Sequence, residues 1–131
     1  MKIFYTILIL IPIIWLLAFQ QPNLKQIEKG RKLAKSCINC HGTIKGDMAW
    51  PLQRIRDYRT QEWLAKMVYN PAGFMYQNEE AAALFKGKSI MQAFPQYSKN
   101  DINAILDYFD SLPYNPENYK HRKNWKKISG K

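Results

Sequence analysis

Cys37-Ile38-Asn39-Cys40-His41 is the stretch around which the chain is organised. Thiols three residues apart lie on the same side of a helical turn, and a histidine follows immediately. One short segment can therefore offer two sulfurs and an imidazole to a single planar ligand. Covalent haem attachment needs that set: each cysteine forms a thioether with one vinyl group at the porphyrin edge, and the histidine turns its ring under the iron.

Other chemistries of a Cys-x-x-Cys pair fit the surroundings less well. A thioredoxin-like redox pair needs a strand-helix-strand setting, and no alternating β-rich run flanks this one. A zinc knuckle needs a fourth ligand, yet the chain has only two cysteines and two histidines, and the second histidine, His121, lies in a polar tail. A disulfide between Cys37 and Cys40 would close too small a loop to stabilise much, and it leaves the adjacent histidine unexplained.

The 131 residues are enough for one domain plus extensions. Only helical periodicities are visible after the first twenty residues, so the expected fold class is all-α, with haem supplying much of the core. The net charge of +10 is unevenly placed: residues 114–131 hold six basic residues against Glu117. This tail, with Tyr119, Trp125 and Ile128 among its lysines, reads as a solvated basic extension. Its functional alternative is docking to an acidic redox partner or anionic lipid.

Residues 3–19 are apolar apart from Thr6 and follow Lys2, which marks an export segment. At 17 residues it is slightly short of the ~20 needed to span a bilayer, and Pro12 sits in its middle. Its end, Leu16-Leu17-Ala18-Phe19, lacks a small-x-small cleavage site. A removed signal peptide and a retained membrane anchor both stay open for residues 1–20. Either one places the remainder outside the cytoplasm, periplasmic and soluble or anchored to the inner membrane, which excludes nucleic acid as a partner.

Further along, Pro22 and Asn23 open a helix with Leu24, Ile27, Gly30 and Ala34 on one face, running to the cysteine motif. Thr60 is an N-cap for a helix over 61–69, which Asn70 before Pro71 stops. Residues 73–77 read as a loop. Asn78 caps the next helix, with Glu79 and Glu80 at its positive end, and Gly87 closes it. Residues 89–95 read as extended, with Pro95 excluding a helix. Ser98 and Asp101 form a capping-box start. The following helix, to Leu112, has Ile102, Ile105, Leu106, Phe109 and Leu112 in register and is ended by Pro113.

Cys37, Cys40 and His41 resemble the CxxCH motif of the class I c-type cytochromes, and with the order of the other elements the resemblance covers roughly residues 24–112. It implies the cytochrome c fold, about four to five helices wrapped around one covalent haem c, over residues 21–113. In that family a glycine at the place of Gly30 lets the first and last helices cross, which here would bring it near Ile105 and Tyr108. The family usually has Gly-Pro where Trp50-Pro51 stands, and the resemblance implies that the Pro51 carbonyl accepts the Nδ1 proton of the proximal His41. It also implies hydrogen bonds to the haem propionates from the region of Arg54, Arg56 and Arg59, whose bland reading is a solvated face.

Haem iron that shuttles electrons needs a second strong ligand beside the histidine. The candidates are Met48, Met67, Met75, Met91 and His121. Met48 is too near His41 to reach the opposite face, Met67 lies on a helical face, and Met75 falls in the expected loop. Met91 has the strongest context, because Met91-x-x-Phe94-Pro95 before a capped helix resembles the family's distal loop, although Gln92 replaces the usual proline.

The resemblance thus implies a monohaem carrier of single electrons between respiratory redox partners, among them a membrane oxidase or reductase, with His41 and Met91 as iron ligands. No acid, base or nucleophile constellation points to an enzyme. The alternatives are a haem gas sensor or peroxidase-like enzyme, and a tethered haem subunit of a larger oxidase or reductase, with residues 3–19 as a route to the membrane.

Overall fold

The computed structural model describes residues 24–44, 48–86, 91–122 and 125; the apolar segment 3–19 with its expected export or anchor role, the expected helix start at Pro22 and Asn23, Gly87 and Ile128 lie outside them. Among the described residues there are six α-helices, two 3-10 helices and no strand, so the all-α expectation holds. The helices are α1 (Leu24–Leu33), α2 (Lys35–His41), α3 (Gln61–Tyr69), α4 (Pro71–Gln77), α5 (Glu79–Leu84) and α6 (Lys99–Ser111).

Most helix starts are written in single side chains. Thr60 accepts from the Trp63 N–H at 3.2 Å and Asn78 from Ala81 at 2.9 Å. At the head of α6, Ser98 Oγ accepts from the Asp101 N–H while Asp101 Oδ2 accepts from the Ser98 N–H, a complete capping box. The expected single helix up to the cysteine motif instead tightens at Ala34. Ala34 alone leaves the α pattern: its N–H still bonds to Gly30 O at 2.8 Å, four residues back, but its carbonyl accepts from both Cys37 N–H and Ile38 N–H at 2.9 Å, a tightened i→i−3 bond beside the α bond, before α2 resumes.

The expected loop at 73–77 is also corrected. Residues 71–77 form α4, because Pro71 sits at its first turn, where a missing N–H costs nothing, and Asn70 Oδ1 accepts from the Gly73 N–H at 3.0 Å. Asn70 thus ends one helix and caps the next.

α6 is the centre of the molecule, with Ile102, Ala104, Ile105, Leu106 and Phe109 all buried. Ile102 and Leu106 pack with Ile55, Leu64 and Ala65, under partly buried Trp63, Val68 and Trp125. Ile105 and Phe109 pack with Ala34, and against them lie Leu33, Cys37, Ile38 and Leu52. One side of α6 therefore holds α3, and another holds α1 and the cysteine motif.

The crossing of α1 over α6 depends on Gly30. A Cβ there would lie 1.8 Å from the Ala104 carbonyl oxygen and 3.0 Å from Tyr108 Cβ. The backbones meet at Ala104 and Tyr108, one position from the expected Ile105. Lys29 Nζ reaches Asp101 Oδ1 at 2.7 Å across the same crossing.

The C-terminal segment departs most from expectation. Residues 116–122 form a 3-10 helix kinked at Tyr119, and Tyr119 and Arg122 are 4% and 3% exposed. Through Arg122 the tail is folded into the body, so the reading of a solvated extension does not hold for this stretch.

Candidate functional site

The cysteine motif occupies α2, with both thiols free of any disulfide and half-buried. Cys37 and Ile38 rest on the buried Ala34, Ile105 and Phe109 cluster, so the motif is carried directly on the core. Burial, with a smaller contribution from Cys40, pushes the Cys37 thiol up to about 11. It is protonated at neutral pH, and as a free thiol it is available to add S–H across an alkene. Among the described residues no three His, Cys, Asp or Glu side chains gather as a metal-binding cluster.

Directly after His41, Gly42 takes φ 62°, a conformation in which glycine alone is unstrained, and reverses the chain. Cys40 O then accepts from Met48 N–H at 3.2 Å and Ala49 N–H at 3.0 Å, which brings the following segment back against the end of α2. That return places the Trp50 carbonyl 2.5 Å from His41 Nδ1. A carbonyl only accepts, so the imidazole carries its proton on Nδ1 and keeps a lone pair on Nε2. Burial moves the imidazole below its ordinary value, against an upward pull from the Trp50 carbonyl, so it is neutral at physiological pH. The acceptor is Trp50 and not Pro51 as expected: the Pro51 carbonyl is taken by Arg122 Nη2.

Two free thiols and a histidine oriented through Nδ1 meet the requirements of a c-type haem site on one short helix. The match to known families agrees: residues 27–113 match the family model described as Cytochrome c. The chain belongs to the cytochrome c family. Neither a curated protein nor a solved structure matches the chain. Cytochromes c bind haem c covalently, act in general as electron carriers and not enzymes, and pass electrons to redox partners. Domains of this family are typically extracytoplasmic in bacteria. No helix among the described residues is long and apolar enough to cross a membrane.

Of the candidate sixth ligands, Met48 is largely exposed, whereas Met67 and Met75 are buried in α3 and α4. Met91 is half-buried in extended chain. Its segment is tethered on both sides: Phe94 N–H donates to Val68 O at 2.9 Å, and Tyr97, stacked on Phe94, donates its hydroxyl to Leu33 O at 3.2 Å. His121 contributes its backbone to the C-terminal 3-10 helix.

The three arginines separate cleanly. Arg54 pairs with Asp57, and Arg56 pairs with Asp107 and Asp110, so both are structural. Arg54 takes φ 55°, and its N–H donates to Asp110 at 2.6 Å, which fixes the turn into the 3-10 helix Ile55–Asp57. Arg59 is 7% exposed and stacked over Trp125 at 4.5 Å; its Nη2 pairs with Glu80 at 3.0 Å and its Nη1 donates to Tyr58 O at 2.6 Å, but its Nε has no protein acceptor. Gln61 Nε2, Trp63 Nε1 and Arg122 Nε are likewise buried donors lacking a protein acceptor. An unmet buried donor costs ~1–3 kcal/mol, so Arg59 Nε and Trp63 Nε1, on side chains in contact with each other, fit a bound acceptor such as a cofactor carboxylate.

Gln53, Tyr119 and Arg122 escape sequence reasoning. Gln53, 1% exposed, donates to Thr43 O and accepts from the Tyr119 hydroxyl, while its own carbonyl accepts from Arg122 Nη1 at 2.8 Å. Burial outweighs the nearby Arg122 cation and pushes the Tyr119 phenol up to about 12, so it is always a donor here. Only a buried glutamine's need for partners could have hinted at the group, and nothing local names them.

Proposed function

We propose that the chain is a monohaem electron carrier in which Cys37 and Cys40 form the two thioethers, His41 Nε2 is one iron ligand and Met91 Sδ the other. The observation that carries this reading is the His41 Nδ1–H donated to the Trp50 carbonyl, which leaves Nε2 unprotonated beside two free thiols. Haem c supplies a one-electron iron couple. Cys37 and Cys40 on α2 would hold it covalently, His41 and Met91 would ligate its iron, and Arg59 Nε would donate to its carboxylates. Support for Met91 comes from its half-buried position and from the anchoring of the chain that follows it, through Phe94 to α3 and Tyr97 to α1. Residues 1–20 act as export signal or membrane anchor, and the partners are redox proteins outside the cytoplasm, a membrane oxidase or reductase among them.

A redox titration of the holoprotein followed by absorption and carbon monoxide binding tests the function. A carrier gives one reversible one-electron step, low-spin spectra in both states and no carbon monoxide adduct. A high-spin resting state that binds the gas would point to a sensor or peroxidase-like protein. Co-purification with a membrane complex would point to a tethered subunit.

A further inference from the structure

We propose that Arg122 is a positioning residue for the proximal histidine, acting through the peptide groups of residues 50–53. The inference rests on the reading of His41 as an iron ligand. His41 Nδ1–H is held by the Trp50 carbonyl. That carbonyl belongs to the peptide unit joined to Pro51, whose ring fixes φ, so the unit turns mainly with the next peptide plane. Arg122 pins that next plane by donating Nη2 to the Pro51 carbonyl, and it donates Nη1 to the Gln53 carbonyl at 2.8 Å. Two successive planes therefore behave as one rigid piece whose free end faces the histidine.

The same arginine also decides which carbonyl the histidine meets. Pro51 O is next along the chain to the acceptor in use, and Arg122 occupies it. A planar fork with fixed donor directions can span two carbonyls two residues apart, which a lysine, as a point donor, cannot. Arg122 is held in its turn by Tyr119, over whose ring it lies at 4.4 Å, and by Trp125, whose N–H donates to Arg122 O at 2.9 Å. These residues lie beyond residue 113, where the family match ends, so this support is specific to the extended chain. A histidine whose Nδ1–H bond is loosened is a weaker donor to iron and stabilises the ferric state less.

The test uses the full-length holoprotein with Arg122→Met, Arg122→Lys and Tyr119→Phe. Two readouts are taken: hydrogen exchange of the His41 Nδ1–H in the reduced protein by NMR, and the reduction potential. Arg122→Met is expected to speed the exchange at least tenfold and raise the potential, with Arg122→Lys between it and the parent. Tyr119→Phe, which removes the hydroxyl bonded to the Gln53 side chain and keeps the ring beside Arg122, should lower the unfolding midpoint and leave both readouts unmoved. If Arg122→Met does not fold, Arg122→Lys decides by the same readouts. Exchange within twofold of the parent at an unchanged potential would overturn the proposal and leave His41 ligation standing. If the parent's His41 ring protons lack the large shift caused by a haem ring current, the ligand reading itself fails and the proposal falls with it.

Discussion

Gly30→Ala puts the helix crossing to a test in which two physical effects predict opposite signs. In a helix interior alanine is favoured over glycine by ~1 kcal/mol, so propensity alone predicts a more stable protein. The added Cβ, however, would sit 1.8 Å from the Ala104 carbonyl oxygen and 2.4 Å from its carbon. Carbon and oxygen in contact stand ~3.3 Å apart, so α1 and α6 must separate by roughly 1.5 Å, against a core packed like a crystal. Overpacking of this kind costs ~1–3 kcal/mol and occasionally more, and here backbone, not a flexible side-chain end, has to give. Taking the upper end of that range, about 3 kcal/mol, less about 1 for propensity, we expect a net loss of about 2 kcal/mol, which lowers the melting temperature by roughly 8–16 °C for a domain of this size. The assay is thermal unfolding of the holoprotein followed by far-UV circular dichroism and haem absorption. Adding Ala104→Gly should restore nothing, because the obstruction is the carbonyl and not the methyl group. A melting temperature equal to or above the parent's would refute the crossing.

Three more outcomes follow from the same geometry. Met91→Ala should abolish the weak sulfur-to-iron band of the ferric protein and lower the potential, since a thioether favours ferrous iron; the same effect from Met75→Ala would move the ligand to α4. Asp101, held from its ordinary 3.8 to about 2 by the Lys29 ammonium and the Ser98 donors, contributes stability that is present above pH 4 and lost as pH falls through 2. Between those values the unfolded state binds more protons, so Asp101→Asn should flatten the acid limb of a plot of stability against pH, and an unaltered limb would dismiss the pair. Truncation after Leu112 should lower the denaturant midpoint, because the Pro51 and Gln53 carbonyls lose Arg122 at ~1–3 kcal/mol for each group left unmet. An unchanged midpoint would return the tail to a solvated extension.

The features legible in the sequence are those set by near neighbours. Thr60, Asn78, Ser98 and Asp101 cap the helices they were expected to cap, because a cap is a bond across three residues. Gly30 could be placed at a crossing, although its contact one residue from Ile105 depends on the rotation of α6. Residues 73–77 read as a loop because Pro71 and Gly73 suggest a break, whereas proline suits the first turn of the helix Pro71–Gln77 and Asn70 caps it. The choice between the Trp50 and Pro51 carbonyls was illegible, since it is made by Arg122, 71 residues from Pro51. Tyr119 and Arg122 looked like part of a charged tail, and only the polar groups of Gln53 and Pro51 give them a reason to be buried.

The most direct test of covalent haem at α2 is acid-acetone extraction of the purified holoprotein, followed by a pyridine haemochrome spectrum of protein and extract. Haem should stay with the chain and show the spectrum of a porphyrin whose two vinyl groups are saturated, shifting toward that of one free vinyl group in Cys37→Ala or Cys40→Ala. Haem that passes into the extract with both vinyl groups intact would contradict the thioether bonds and the account built on them.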